Sequence, residues 1–274
     1  MINLLKYHKQ ILYYIVMVGC GGNGGYAVQR ITKMMHAFTH VPSYLMLADP
    51  DQIEEKNLLR QPFVKQDLAK KKSEVLANRY GATYGLRIGS YSDSYIESVE
   101  QLENLFNQTD YMHKQGQHIQ KVLIGAVDNG FSRKIMDDYF QKSDDIIYID
   151  AGIEGVYVPS GDRSPEEWTA DEQQEHIESG YSGQVVIGLK KNGKVLLPPL
   201  NEVYPIDVKD AIPPSHNCGL EPYQPQRMIA NENAALQIST IVNELFSSNS
   251  ILVNVVNFNA RTMLSRPTYV DEMK

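Results

Sequence analysis

Short apolar runs alternate with longer helical patterns through the first half of the chain. Each run has the length of a buried strand, and the segments between them repeat apolar residues at helical spacing, as in Ala27, Val28, Ile31 and Met35. The pattern predicts strands over 11–18, 44–48, 86–90, 121–127 and 146–150, and helices over 24–38, 68–80, 96–106 and 132–140. Strands separated by helices of this length predict a parallel, doubly wound sheet, which binds ligands at the carboxyl ends of its strands.

The second half of the chain follows a different pattern. Residues 159–181 are acidic and rich in turn-forming residues, so we expect an exposed loop or lid there. Asn192 and Gly193 lie between two apolar runs, over 184–189 and 194–197, and predict an antiparallel hairpin. A proline-rich connector then leads to a long helix and a final strand, over 198–225, 228–246 and 251–258 in turn.

These patterns predict an α/β fold with a Rossmann-like, doubly wound, mostly parallel sheet, to which the C-terminal half adds antiparallel strands. With 274 residues and 42% hydrophobic content the chain can bury a sizeable core, and we expect one domain over 1–274. Residues 11–158 are its expected nucleotide-binding half. Residues 159–274 are expected to hold the lid, the hairpin, a crossover loop with Cys218, and the C-terminal helix and strand.

Charge and composition exclude several classes of protein. The formal net charge is −7 and no segment carries a basic stripe, so binding to nucleic acid is not expected. No apolar run approaches the roughly 20 residues that span a membrane. Two cysteines give neither a disulfide framework nor a zinc site of two Cys-x-x-Cys pairs, which favours a cytoplasmic protein. The seven histidines are scattered, and we expect them in the core or on the surface rather than on a metal.

A glycine-rich turn, GCGGNGG, joins the first predicted strand to the first predicted helix, from Gly19 to Gly25. Such turns cradle phosphates, because glycines allow a tight backbone and the helix N-terminus supplies amide donors. The turn alone leaves ATP, NAD and simple helix packing open. It also leaves open a bacterial lipoprotein signal with Cys20 as the acylated residue. Asp49, at the end of the second strand, can accept hydrogen bonds from the ribose of either nucleotide.

The polar motifs that follow the second strand separate these alternatives. They are Asp49-Pro50-Asp51, then Asn57-Leu58-Leu59-Arg60-Gln61, then Lys72 at the start of KSEVL, then Asp128 with Arg133 five residues later. In type, order and spacing this set resembles the ThiF/MoeB/HesA superfamily, which includes the ubiquitin-activating enzymes. The resemblance follows the whole chain in order and is tightest between Val16 and Asp150.

The resemblance implies an ATP site and a role for each of its residues. Asp49 would bind the ribose, Arg60 and Lys72 would neutralise charge on the phosphates, and Asp128 would hold Mg²⁺. The implied nucleotide-binding set is Gly19, Gly21, Gly22, Gly24, Asp49, Asp51, Asn57, Arg60, Gln61, Lys72 and Asp128. Two structural alternatives remain open, since Lys72 can simply lie on a solvated helix start and Asp128 can cap the next helix.

Cys218 precedes the long C-terminal helix, where the family commonly carries a cysteine. The resemblance implies that it can receive the activated acyl group as a thioester or persulfide, and His216 is near enough in sequence to assist. A small buried side chain remains the alternative for Cys218. The family's N-terminal arginine, which reaches a partner subunit's ATP, has no counterpart in the first ten residues. A homodimer is therefore an open expectation.

The resemblance implies an ATP-dependent adenylyltransferase that activates the C-terminal carboxylate of a small ubiquitin-like or sulfur-carrier protein with a Gly-Gly tail. Within the superfamily the chain looks most like the ThiF-type proteins of PRTRC plasmid cassettes, and a tRNA-modifying adenylase would share the motifs. Two further hypotheses stay open: an NAD-dependent Rossmann oxidoreductase, and a non-catalytic nucleotide-binding platform.

Overall fold

The computed structural model describes residues 1–8, 10–107, 117–161, 163–206, 213 and 225–273. The strands are β1 Ile2–Asn3, β2 Ile11–Val18, β3 Ser43–Ala48, β4 Ile88–Tyr91, β5 His118–Gly125, β6 Ile146–Ile153, β7 Ser182–Lys191, β8 Lys194–Leu197, β9 Ser250–Ile251, β10 Val253–Asn259 and β11 Leu264–Tyr269. The α-helices are α1 Gly22–Ala37, α2 Lys72–Tyr84, α3 Val99–Phe106, α4 Gly130–Lys142, α5 Ala170–Glu178, α6 Leu200–Val203 and α7 Met228–Ser248.

One large sheet organises the described residues, in the order β11-β10-β7-β6-β5-β2-β3-β4, with β8 paired to β7. Strands β2 to β6 are parallel to one another, and β7, β8, β10 and β11 are antiparallel to their neighbours. This confirms the prediction of a mostly parallel α/β sheet extended by antiparallel strands. The strand order reverses between β2 and β5, and their carboxyl ends form the crevice where such sheets bind ligands.

The sheet is covered on both faces. Every residue of β2 is buried, and alternate side chains enter two different apolar clusters. Tyr13, Ile15 and Met17 pack with α1, α2 and α7, whereas Tyr14 and Val16 pack with α3 and α4. Continuous burial on both faces explains why the parallel strands are uninterrupted apolar runs in the sequence. None of the helices in the described ranges is both long and apolar enough to cross a bilayer.

The structure differs from the prediction at several places, and three of them have a clear local cause. The helix predicted from residue 68 begins at Lys72, because Ala69 has a positive φ of 63° that ends any earlier turn. Segment 159–181 contains the helix α5, which buries no residue and so has no apolar repeat to reveal it. The predicted last strand is followed by β11, an edge strand with no fully buried residue. The predicted hairpin is confirmed, with positive φ at Asn192 and Gly193.

Candidate functional site

A cavity of about 390 Å³ opens at the carboxyl edge of the parallel strands, at the crevice between β2 and β5. Ten of the predicted site residues line it: Gly19, Gly21, Gly22, Asp49, Asp51, Asn57, Arg60, Gln61, Lys72 and Asp128. They come from five separate stretches of the chain, so the fold brings together what the sequence only places in order. Gly24 does not line the cavity, and Cys218 lies outside the described residues.

The glycine turn is shaped by close backbone contacts. Gly19 has a φ of +92°, and a Cβ there would lie 2.5 Å from the carbonyl oxygen of Ala126, in the loop after β5. A Cβ on Gly24 would lie 1.9 Å from the carbonyl oxygen of Gly19. Gly24 therefore allows α1 to pack on the turn rather than binding a nucleotide directly, while a Cβ on Gly21 would meet its nearest neighbour at an ordinary 3.5 Å. The turn leaves the N-terminus of α1 beside the cavity, where it favours an anion.

Asp49 is a buried carboxylate at the end of β3 that holds two loops in place. Its Oδ2 accepts a hydrogen bond from the backbone N–H of Cys20 at 2.7 Å, and its Oδ1 accepts one from the N–H of Asp51 at 2.9 Å. Burial raises the pKa of Asp49 to about 6, although the charge of Lys72 and the two backbone hydrogen bonds act in the opposite direction. Asp49 thus fixes the glycine turn relative to the Asp-Pro-Asp segment.

Lys72 is a buried cation at the first residue of α2. Its Nζ donates to Asp51 Oδ2 at 2.8 Å, and its side chain is 8% exposed. Burial acts to lower the pKa of Lys72, but the neighbouring carboxylates Asp49 and Asp51 outweigh it and raise the pKa. In Asp51, burial acts to raise the pKa, whereas the charge and hydrogen bond of Lys72 and a hydrogen bond from Tyr95 lower it. Lys72 is therefore not a solvated helix start.

Arg60 and Gln61 reach the cavity from a 3₁₀ helix, Glu55–Leu59. The side-chain oxygen of buried Asn57 accepts from the N–H of Glu54 at 2.9 Å, and its carbonyl accepts from the N–H groups of both Arg60 and Gln61. Asn57 thus fixes the turn that places Arg60 and Gln61 at the cavity. Arg60 donates to Gln226 Oε1 at 2.5 Å, just ahead of α7. Gln61 Oε1 is buried and has no hydrogen-bond partner among the described residues.

Asp128 lies in the loop after β5 and faces the cavity as an exposed side chain. The residue that caps α4 is Asn129, whose side-chain oxygen accepts from the N–H of Ser132 at 2.8 Å. The capping explanation for Asp128 is therefore wrong. Among the described residues no hydrogen bond or ion pair occupies its carboxylate. A single carboxylate that completes its coordination with phosphate oxygens and water is the donor set that Mg²⁺ prefers.

Arg133, five residues after Asp128, contacts the ends of β5 and β6. Arg133 Nε lies 3.2 Å from Asp150 Oδ1, and its Nη2 donates to the carbonyl oxygens of Val127 and Ala151. Burial raises the pKa of Asp150, opposed chiefly by the charge of Arg133. Arg133 also lines the cavity, so this pair ties the ends of β5 and β6 together beneath it.

Sequence reasoning missed several residues of the cavity wall. Tyr95 donates to Asp51, and Asn231 on α7 donates to Asn23 Oδ1 on α1 at 2.8 Å. A Cβ on Gly22 would lie 2.5 Å from the Asn231 side chain, so α7 crosses directly over the turn. The residues around Asn231 form no recognisable motif, so the sequence did not point to it. Cys20 is fully buried, and burial and then the charge of Asp49 raise its thiol pKa well above the usual value. Its side chain therefore has a packing role in the turn.

The segment 159–181 lies away from the cavity, and none of its described residues lines it. Arg227, just before α7, donates to the carbonyl oxygens of His176 and Ser179 at the end of α5 and stacks on Tyr181. These contacts hold the segment beside the start of α7. A lid function for it stays a prediction.

Comparison with known proteins shows where this fold and these motifs belong. Over 94% of its length, the chain is similar in structure to E. coli MccB with ATP (TM-score 0.57, 18% identity). The match to E. coli MccB with AMPCPP and selenomethionine MccA covers the same share (TM-score 0.57, 18% identity). The match to selenomethionine PaaA also covers 94% of the chain (TM-score 0.56, 13% identity). The chain spans 63–64% of the length of these proteins, and no curated protein matches it in sequence. The family model described as ThiF family matches residues 8–187, and the chain belongs to the ThiF family.

Proposed function

We propose that this protein is an ATP-dependent adenylyltransferase that activates the C-terminal carboxylate of a peptide or small protein. A carboxylate oxygen attacks the α-phosphorus of ATP, and the bond from that phosphorus to the bridging oxygen breaks. Pyrophosphate leaves, and the products are an acyl-adenylate and pyrophosphate. Two anions must approach each other in this reaction, so the site needs fixed cations and amide donors around the phosphates.

One observation carries the proposal. Arg60 and Lys72, the only motif cations that the sequence assigned to the phosphates, face the same cavity as Asp128 and the glycine turn. A hydride-transfer enzyme needs the turn and Asp49 but has no use for two cations and a metal-binding carboxylate beside them. The convergence therefore favours phosphoryl chemistry over an NAD-dependent oxidoreductase.

The residues divide the work according to their positions. The amides of Gly21 and Gly22 and the N-terminus of α1 would face the phosphates, and Asp49 would set the ribose side of the site. Lys72 is held in place by Asp51, so its ammonium is oriented before substrate binds. Arg60 would neutralise charge that develops on the leaving pyrophosphate.

Asp128 fits the role of a Mg²⁺ ligand, because its carboxylate faces the cavity and no described residue occupies it. When bound, the ion would neutralise phosphate charge and orient the phosphate oxygens. Arg133 and Asp150 keep the loop that carries Asp128 at the mouth of the crevice.

The acceptor is proposed to be a small ubiquitin-like or sulfur-carrier protein with a Gly-Gly tail. Support comes from the family, and from MccB, whose structures contain ATP and MccA. After activation, the Cys218 thiolate would attack the acyl carbonyl and release AMP, leaving a thioester. We further propose that this protein is a ThiF-type protein of a PRTRC cassette, and a homodimer stays an expectation.

The direct test is isotope exchange between labelled pyrophosphate and ATP. The probes are a panel of small ubiquitin-like proteins ending in Gly-Gly, and the same proteins lacking the two glycines. We expect exchange that requires both the intact tail and Mg²⁺. The test variant is Lys72→Met, and its matched control is Lys70→Met, since Lys70 is an exposed lysine of the same segment outside the cavity. Exchange should be lost in the first and retained in the second.

Two outcomes would overturn the proposal. ATP binding without exchange for any Gly-Gly-tailed protein would indicate a non-catalytic nucleotide platform. Saturable enhancement of NADH fluorescence, without exchange, would instead indicate the oxidoreductase. For Cys218, we expect a thiol-sensitive covalent adduct that Cys218→Ala abolishes while exchange is kept, and the absence of an adduct in the unaltered protein would remove its nucleophile role.

A further inference from the structure

A second cluster of metal-binding side chains lies at the opposite edge of the sheet. His8 precedes β2, His118 is the first residue of β5, and Asp145 comes directly before β6. Because β2, β5 and β6 are parallel, their amino ends meet at one edge. Strands of eight residues separate this edge from the nucleotide cavity by about 25 Å.

The three side chains present their ligand atoms to a common point. His118 Nε2 lies 3.1 Å from Asp145 Oδ2, and His8 Nε2 lies 3.5 Å from the same oxygen. All three ligand atoms fall within 4.8 Å of one another. Bond lengths of about 2.0–2.2 Å in a tetrahedral zinc site place neighbouring ligand atoms about 3.3 Å apart. The two distances to the carboxylate oxygen bracket that value.

Hydrogen bonds do not account for the close placement of the two histidine rings. The rings stack face to face with centroids 3.4 Å apart and 6° between planes. Both Nε2 atoms are buried, and neither makes a well-directed hydrogen bond within the described part of the chain. The negative charge of Asp145 is already balanced by Lys191, whose Nζ lies 2.7 Å from both carboxylate oxygens. The imidazole pair is therefore not required to neutralise Asp145.

We propose that His8, His118 and Asp145 form a zinc-binding site. Two neutral imidazole nitrogens and one carboxylate oxygen are ligands that Zn²⁺ accepts, with a fourth position left for water. The rings would splay slightly so that both nitrogens point at the ion. Lys191 would keep one carboxylate oxygen, as it also donates to Gln120 Oε1 at 2.9 Å, and would thereby orient the ligand.

The site would have a structural effect that does not depend on the nucleotide cavity. It would tie the segment before β2 to the amino ends of β5 and β6, which are the central strands of the sheet. A ligand that binds the folded state alone raises the melting temperature, so zinc is expected to raise it.

The test uses the full chain with its affinity tag removed, since a polyhistidine tag binds zinc itself. Zn²⁺ is titrated calorimetrically into chelator-treated protein at neutral pH, and Co²⁺ absorption reports tetrahedral coordination. We expect one ion per chain, a higher melting temperature with Zn²⁺, and loss of binding in His8→Ala, His118→Ala and Asp145→Asn. His8 lies outside the strands, before β2, so its variant keeps the test valid if changes at the ends of β5 and β6 impair folding.

The matched controls are Asp144→Asn, at the exposed neighbour of Asp145, and His40→Ala, at an exposed histidine elsewhere. Both should bind zinc as the unaltered protein does, and all variants that fold should keep pyrophosphate exchange. Absence of zinc binding in the unaltered protein would overturn the proposal. Equal binding in His8→Ala and the unaltered protein would do so as well, since the ion would then be held elsewhere.

Discussion

Replacing Lys72 by Met would leave the carboxylates of Asp49 and Asp51 without their neighbouring cation. At 2.8 Å from Asp51 and an effective dielectric constant of about 20, the direct attraction is about 6 kcal/mol before desolvation is subtracted. Breaking a buried ion pair by removing one partner costs about 3–5 kcal/mol. Asp51 is 39% exposed and can rehydrate, so we expect Lys72→Met to lower the free energy of unfolding by about 2–3 kcal/mol.

The loss should depend on pH in a defined direction. Without Lys72, burial and then mutual repulsion raise the pKa of both Asp49 and Asp51 in the folded protein above their unfolded values of about 3.9. The folded variant then binds more protons than the unfolded chain, so its stability falls as pH rises from about 5 to 7. In the unaltered protein, burial already gives Asp49 a pKa of about 6 and adds the same trend, while Lys72 keeps the pKa of Asp51 lowered. The difference between the two proteins is therefore larger at pH 7.

Urea unfolding of Lys72→Met, Lys70→Met and the unaltered protein, at about pH 5 and pH 7, measures both effects. Lys70→Met should stay within about 0.5 kcal/mol of the unaltered protein, as an exposed substitution normally does. An equal loss of stability at the two pH values, or none relative to Lys70→Met, would refute the assignment of Lys72 as the buried counter-ion of the two carboxylates.

Four further predictions concern the turn, the proposed metal ligand and the crossing helix. Gly24→Ala should lose at least about 2 kcal/mol of stability by urea unfolding, because its Cβ would overlap the carbonyl oxygen of Gly19 at 1.9 Å. Gly21→Ala should stay within about 1 kcal/mol yet weaken ATP binding in calorimetry, since its Cβ fits sterically but enters the cavity. Asp128→Asn should reduce pyrophosphate exchange by about 10²-fold or more with an unchanged melting temperature, because no described residue depends on its carboxylate. Asn231→Ala should cost about 1–3 kcal/mol, since it leaves a buried amide oxygen on α1 without its donor.

Much of the parallel half of the fold could be predicted from the sequence, because its signals are local. Strand β2 has the predicted bounds, since a strand buried on both faces is an unbroken apolar run. The turn at Asn192 and Gly193 could be predicted because few residue types adopt its positive φ values. Helix α5 gave no apolar repeat, although the Thr169 and Glu172 capping box was a signal that could have revealed its start.

The site shows the same division between local and tertiary information. Asp49 and Asp128 follow the ends of predicted strands, whereas Lys72 lies inside the helix predicted over 68–80 and was assigned from its spacing in the motif set of the family that the chain resembles. The fold brings these three residues to one cavity. Asn231 was missed because its place above the turn depends on how α7 crosses α1, which no local pattern encodes. His8 and His118 are 110 residues apart, and the histidines were expected in the core or on the surface rather than on a metal, yet these two rings stack. Their meeting follows from strand pairing: the register places Ile11 opposite His118.

In the proposed reaction, a carboxylate oxygen attacks the α-phosphorus of ATP in this cavity. The most direct measurement uses a Gly-Gly-tailed carrier whose C-terminal carboxylate is labelled with ¹⁸O, with hydroxylamine to capture the acyl-adenylate. Hydroxylamine attacks the acyl carbonyl and releases AMP, which keeps the oxygen that came from the carboxylate. We expect one ¹⁸O in the AMP, together with a carrier hydroxamate, and about 10²-fold less of both products with Asp128→Asn. AMP without the label, or ADP and phosphate as the products, would contradict the proposal.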